Sequence, residues 1–95
     1  MVVWTILVTV RSNKRSELLS ACRFIIDQTN RQKGCLGCSI FQDIDNENVI
    51  RIEETWKHRS HMDDHFCNDI FSALLGAVEL LGETHEVRIT DGPQN

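Results

Sequence analysis

Three side chains in this sequence have the types and spacing to do chemistry together: Glu54, Trp56 and His65. Glu54 and Trp56 lie two apart at the end of an alternating apolar run, Val49-Ile-Arg-Ile-Glu-Glu-Thr-Trp56. On a β-strand, residues two apart share one face. The carboxylate and the indole therefore stand on the same side as Ile50 and Ile52. His65 follows on a segment of helical spacing and can return over that face. A carboxylate, an indole and an imidazole converging on an apolar wall is how a small-molecule pocket begins. An imidazole suits proton transfer because its unperturbed pKa is near ~6.5. In this reading His65 or Glu54 accepts a proton from a phenolic substrate and Trp56 stacks on its ring. Ile52, Phe66, Phe71 and Thr5 bound the pocket. The structural alternative is plainer: Trp56 fills the core, Glu54 pairs with an arginine or caps a helix, and His65 is a satisfied interior histidine.

A second group is Cys35-Leu-Gly-Cys38. A C-x-x-C can be a redox pair or half of a metal site. The redox form normally sits at a helix N-terminus, which lowers a thiol pKa; here the motif leads into a strand. With His61 and His65, Cys35 and Cys38 could also make a Cys₂His₂ zinc set, although the two halves lie in different elements and far apart. The plain reading is small residues at a tight turn into a strand. Cys22 falls on the apolar stripe of a helix and reads as packing.

The elements that must position these groups follow from periodicity. Val2 to Val10 reads as a strand that is apolar on both faces. Leu18, Cys22, Ile25 and Thr29 recur at helical spacing, which predicts an amphipathic helix over about Arg15 to Thr29. Cys38 to Asp43 and Val49 to Trp56 form a hairpin across the turn Asp45–Asn48. Ser60 and Asp63 fit a capping box at the start of the next helix. Met62, Phe66 and Ile70 stack on one side of it. Phe71, Leu74, Leu75, Val78 and Leu81 continue the period after a break near Asp69, and Gly82 stops it. His85 to Thr90 alternates as a last strand, with a fraying tail after Asp91. Phe24, Phe41, Phe66 and Phe71 read as core.

The order is βαββαβ, a ferredoxin-like α+β arrangement with an antiparallel sheet. Helices in this arrangement cover one face of the sheet, yet the first strand is apolar on both. A second copy of the chain, sheet against sheet, is the simplest cover for the other. Arg51 and Glu53 on that face make part of it polar.

Ninety-five residues suit one domain, residues 1–95, with a thin core. The net charge of −4 argues against a nucleic-acid partner, which needs clustered Lys and Arg. No run of apolar residues is long enough for a membrane span, and Met1 to Val10 does not read as a signal peptide. The cytoplasm is the expected location, with the four cysteines reduced.

Glu54-Thr-Trp56, the helix with His65 and the Phe71 beyond it resemble the antibiotic biosynthesis monooxygenase family. Gly34-Cys35 after the first helix and the turn from Asp43 to Asn48 fit the same pattern. The resemblance spans roughly Val2 to Ile89. It implies a dimeric α/β barrel, a homodimer, that oxygenates a quinol or polycyclic phenol with O₂ and without metal or flavin cofactor. His65 would be the base, Trp56 the stacking wall and Glu54 the orienting carboxylate. The family's haem-degrading branch uses a Trp, a His and an Asn on the first strand; here Trp56 and His65 are present, but Met1 to Val10 holds no Asn. Tyrosine is absent from the chain, so a role that relatives give to a tyrosine is vacant or filled otherwise. The alternatives are a non-catalytic aromatic-ligand-binding or stress-associated protein on the same scaffold, and a Cys/His metal or thiol protein.

Overall fold

The structure, a computed structural model, describes residues 1–91. Strand β1 (Val2–Val10) buries Val2, Trp4, Ile6, Val8 and Val10, every second side chain. A short 3₁₀ turn, Ser12–Lys14, leads into helix α1 (Arg15–Asn30), which buries the stripe Leu18, Cys22, Ile25 and Thr29. Strands β2 (Cys35–Gln42) and β3 (Val49–Trp56) form the hairpin. Helices α2 (Arg59–Phe66) and α3 (Asp69–Leu81) follow, and strand β4 (Gly82–Asp91) completes the fold. The sheet order is β2-β3-β1-β4, and every neighbouring pair is antiparallel. This is the ferredoxin-like α+β arrangement, its second helix divided in two. The core lies between the sheet and the helices, where Trp4, Ile6, Ile50, Ile52 and Trp56 meet Leu18, Met62, Leu74 and Val78. Each large apolar side chain fully buried there contributes about 1.5–3 kcal/mol.

Several boundaries differ from the sequence reading for local reasons. Strand β2 begins at Cys35, three residues early, because the Lys57 amide donates to the Gly34 carbonyl at 2.8 Å and continues the ladder past the end of β3. The extra residue is absorbed by an irregularity between Cys35 and Gly37. Ser60 does not cap α2; the helix starts at Arg59 after His58, which makes no side-chain cap bond. The cap instead belongs to Asn68, whose side chain accepts from the Ile70 amide at 2.8 Å and begins α3. That cap is the physical cause of the break near Asp69.

Gly82 ends α3 as expected, but with extended backbone, φ −77° and ψ 148°, so β4 starts at once and not at His85. A Cβ there would lie 2.5 Å from the Val78 carbonyl oxygen and 2.9 Å from Val8 Cγ1, so close helix–strand packing demands a glycine. Phe24 and Phe41, expected in the core, are 68% and 42% exposed. Phe24 sits one position off the buried stripe of α1. Phe41 pairs with Arg51 on the helix-free face, with the guanidinium 4.4 Å from its ring centroid. The tail after Asp91, expected to fray, lies outside the described residues. Among the described residues no helix is long and apolar enough to cross a membrane.

Gly34 has φ +84°, and a Cβ on it would fall inside the His61 ring. Gly34→Ala therefore combines left-handed strain with a clash and should cost at least about 2 kcal/mol in urea unfolding. Gly37→Ala, where a Cβ meets nothing within 4 Å, should stay within about 0.5 kcal/mol. Equal losses would refute this account of the loop.

Candidate functional site

Antiparallel pairing sets Trp4 of β1 directly beside Glu54 of β3, on the face the helices cover. Glu54 Oε1 accepts from Trp4 Nε1 at 2.7 Å and from Trp56 Nε1 at 3.0 Å. Helix α2 brings His65 over the same spot, with Nε2 3.1 Å from that oxygen and both side chains wholly buried. Nε2 lies within ion-pair distance of that oxygen, a pair that is charged only when the imidazole is protonated, and it makes no well-aligned hydrogen bond. Oε1 already holds two N–H donors, so a donor at Nε2 suits it better than a lone pair. The other ring nitrogen, Nδ1, lies 2.8 Å from Oε1 of Gln32, a residue of the loop after α1.

Aromatic rings enclose this group. Trp56 and His65 lie 4.8 Å apart between ring centroids, tilted by 32°. Phe66 and Phe71 meet Trp4 edge-on at 5.8 and 5.4 Å. Phe71 also meets His65 at 5.4 Å. Ile52 is buried on the same side of β3. The hollow expected between β3 and α2 is filled by these rings, Trp4 foremost. Among the described residues, cavities of 260, 380 and 240 Å³ open on the surface, and the last of these reaches the cluster, at the edge of His65. Its other lining residues are Gln32, Lys33, His61, Asp64 and Asn68.

The structure thus brings Glu54, Trp56, His65, Ile52, Phe66 and Phe71 together and leaves Thr5 out. Thr5 alternates with Trp4, so it points to the helix-free face and lines the 260 Å³ cavity with Leu7, Arg51 and Arg88. Trp4 takes the place that reading assigned to Thr5. The signal for Trp4 was its alternation with Ile6 and Val8, but its pairing with Glu54 depends on a register that one strand's sequence does not encode. Gln32, in a loop without periodicity, left no signal.

All four cysteines are free thiols. Burial pushes the Cys22 thiol up to about 11 and raises Cys35. Cys38 is raised further, by burial first and then by the neighbouring Glu54 charge. Thiols held protonated are weak nucleophiles and weak metal ligands. His61 packs on Gly34 and stacks on His58, with ring centroids 5.5 Å apart. Among the described residues no three His, Cys, Asp or Glu side chains are grouped to hold a metal ion, so Cys35, Cys38, His61 and His65 do not form the set considered for zinc.

The raised Cys22 thiol carries a stability signature. Its ordinary value of 9.0 applies to the unfolded chain, which ionises first and binds fewer protons than the native state as pH rises. The contribution is complete below pH 9 and is lost as pH climbs toward about 11. Urea midpoints should therefore fall across that window, and fall less steeply in Cys22→Ala. Identical slopes for the two proteins would refute the burial of this thiol.

Comparison with known proteins adds a lineage to this geometry. A family model described as antibiotic biosynthesis monooxygenase matches residues 1–76. A candidate antibiotic biosynthesis monooxygenase of Nitrosomonas europaea superposes with a TM-score of 0.87 at 22% identity, over 97% of this chain and 98% of that one. Another from Deinococcus radiodurans gives 0.90 at 18% identity, over 100% and 95%. At such identities the likeness speaks to the fold. An uncharacterized Synechocystis protein is 24% identical over 83 residues, 86% of this chain and 56% of its own length. The chain thus spans about half the length of that curated relative.

Proposed function

The chain belongs to the antibiotic biosynthesis monooxygenase family, whose model matches most of it, and on that premise we propose that it oxygenates a quinol or polycyclic phenol without a cofactor, with His65 as the base. The observation that carries this reading is the Glu54–His65 pair. A wholly buried carboxylate 3.1 Å from Nε2 stabilises the imidazolium that forms when Nδ1 takes a proton. Nδ1 is on the side of the ring that meets the 240 Å³ cavity, through Gln32.

In this mechanism the substrate hydroxyl gives its proton to His65 Nδ1. The resulting phenolate passes one electron to O₂, and the semiquinone and superoxide radicals join through a new C–O bond. The peroxide anion so formed takes the proton back from His65 Nδ1, and the hydroperoxide loses water, breaking the O–O bond and the C–H bond of the same carbon and leaving a carbonyl on the ring. Glu54 holds His65 in place through its Nε2 edge, and the aromatic packing keeps bulk water from the pair. Trp56 orients the imidazole it lies against. A second reading, a non-catalytic binder of aromatic ligands, draws support from one observation: Trp4, Glu54 and Trp56 have no exposed surface.

An oxygen electrode with a panel of hydroquinones separates the two. Wild-type protein should consume O₂ and yield a quinone carrying one oxygen atom from O₂, and His65→Gln should lose at least about 100-fold in rate while melting as a folded protein. Binding without O₂ uptake in the wild type would leave only the binder. Uptake that survives the substitution would remove His65 as the base.

The same proposal places a second copy of the chain on the helix-free face of the sheet. Leu7 and Phe41 stand there 40% and 42% exposed, among Thr5, Arg51, Glu86 and Arg88. Sedimentation equilibrium should give twice the chain mass, and Leu7→Glu should shift it toward the monomer. A wild-type protein monomeric at all concentrations would refute this arrangement.

A further inference from the structure

Resting on the reading of His65 as a base, we propose that the 240 Å³ cavity is a substrate seat for a single-ring molecule with at least two oxygen functions, whose hydroxyl displaces the Gln32 amide from His65 Nδ1. Of the three cavities, this is the one that reaches the buried pair. It does so at the His65 edge that Gln32 covers, 2.8 Å away.

The Gln32 amide is a replaceable cover. Its Oε1 faces Nδ1, while its Nε2 is buried without a partner. Turning the amide over would satisfy the nitrogen and orphan the oxygen, so either orientation leaves one end unpaired. A hydroxyl is donor and acceptor in one atom. In place of the amide oxygen it donates to Nδ1, which that carbonyl oxygen cannot do, and the displaced amide is free to turn to water. Lys33 and Asp64 offer opposite charges to further polar groups of the ligand.

Size and rigidity narrow the choice. The volume is under the about 300 Å³ at which pockets for drug-sized ligands begin, which favours a single ring over a fused polycycle within the class proposed above. The walls are not free to spread. The loop carrying Gln32 is tied to α2 where the His61 ring packs on the bare Cα of Gly34, and to the chain after β3 by the bond from Lys57 to the Gly34 carbonyl. Opening therefore falls to the Gln32 side chain and not to the backbone.

Anaerobic titrations followed by indole fluorescence and by ¹⁵N shifts of the His65 ring test this. Hydroquinone and catechol should bind at least tenfold tighter than phenol or naphthohydroquinone and should move the Gln32 side-chain amide signal. Gln32→Ala should tighten that binding several-fold, since no amide has to leave. Gln32→Glu should weaken it at least tenfold, since a carboxylate would hold His65 in its imidazolium form. Equal or tighter binding of the bicyclic quinol, or a Gln32→Ala protein that binds no better than wild type, overturns the proposal. The two readings fail separately. Binding of the single-ring diols without O₂ uptake sinks the oxygenase and keeps the seat. His65-dependent turnover of a bicyclic quinol with no diol binding sinks the seat and keeps the oxygenase.

Discussion

One carboxylate oxygen organises this fold. Glu54 Oε1 is fully buried and collects two indole N–H groups and an imidazole edge, from β1, β3 and α2. A buried charge costs several kcal/mol unless it is met by well-placed partners. Hydrogen bonds to a charged group return about 1.5–3 kcal/mol each, so the two indoles offset part of that cost at Oε1, while Oε2 is buried without a hydrogen-bond partner. The requirement also fixes register. A slip of one residue between β1 and β3 would set Val3 or Thr5 opposite Glu54 and turn Trp4 to the wrong face. The surrounding rings of Phe66 and Phe71 are the dry wall that makes these bonds strong.

The sheet separates two environments. The buried part of the helix-covered face is apolar apart from the Glu54 group and the thiols that burial keeps protonated, while Gln42, His85 and Asp91 lie at its exposed margins. The opposite face alternates threonines and charges with Leu7 and Phe41, and Arg51 lies over a phenyl ring. A residue's side of the sheet therefore decides its chemistry more than its place along the chain. Thr5 and Trp4 are adjacent in sequence and belong to different worlds.

Much of this was legible in the sequence where a period repeats. Alternation put Glu54 and Trp56 on one face, and helical spacing carried His65 back over it. The split between α2 and α3 was visible from the period alone. What was not legible depends on distance. Trp4 reaches Glu54 through a cross-strand register, and Gln32 reaches His65 from a loop, so neither contact leaves a local mark. The capping box at Ser60 misled because spacing does not reveal where the first turn begins; Asn68, without the paired acid, does the capping. Phe24 and Phe41 show that a large apolar side chain is not evidence of burial when its neighbours hold the inward positions.

The junction at Gly82 has a consequence for how this chain can vary in length. Helix and strand meet there with no connecting loop, and the glycine is wedged against Val78 and Val8. The ladder already absorbs one extra residue there, at the irregularity between Thr9 and Val10, so a further residue that this bulge did not take up would turn β4 over and trade the row of Val87 and Ile89 for that of Glu86 and Arg88. The turn between β2 and β3, from Asp43 to Asn48, lies on the surface and can lengthen without moving either strand. Both places lie at the same end of the sheet, on either side of Val10, so length varies more freely there in the hairpin than at the helix–strand junction.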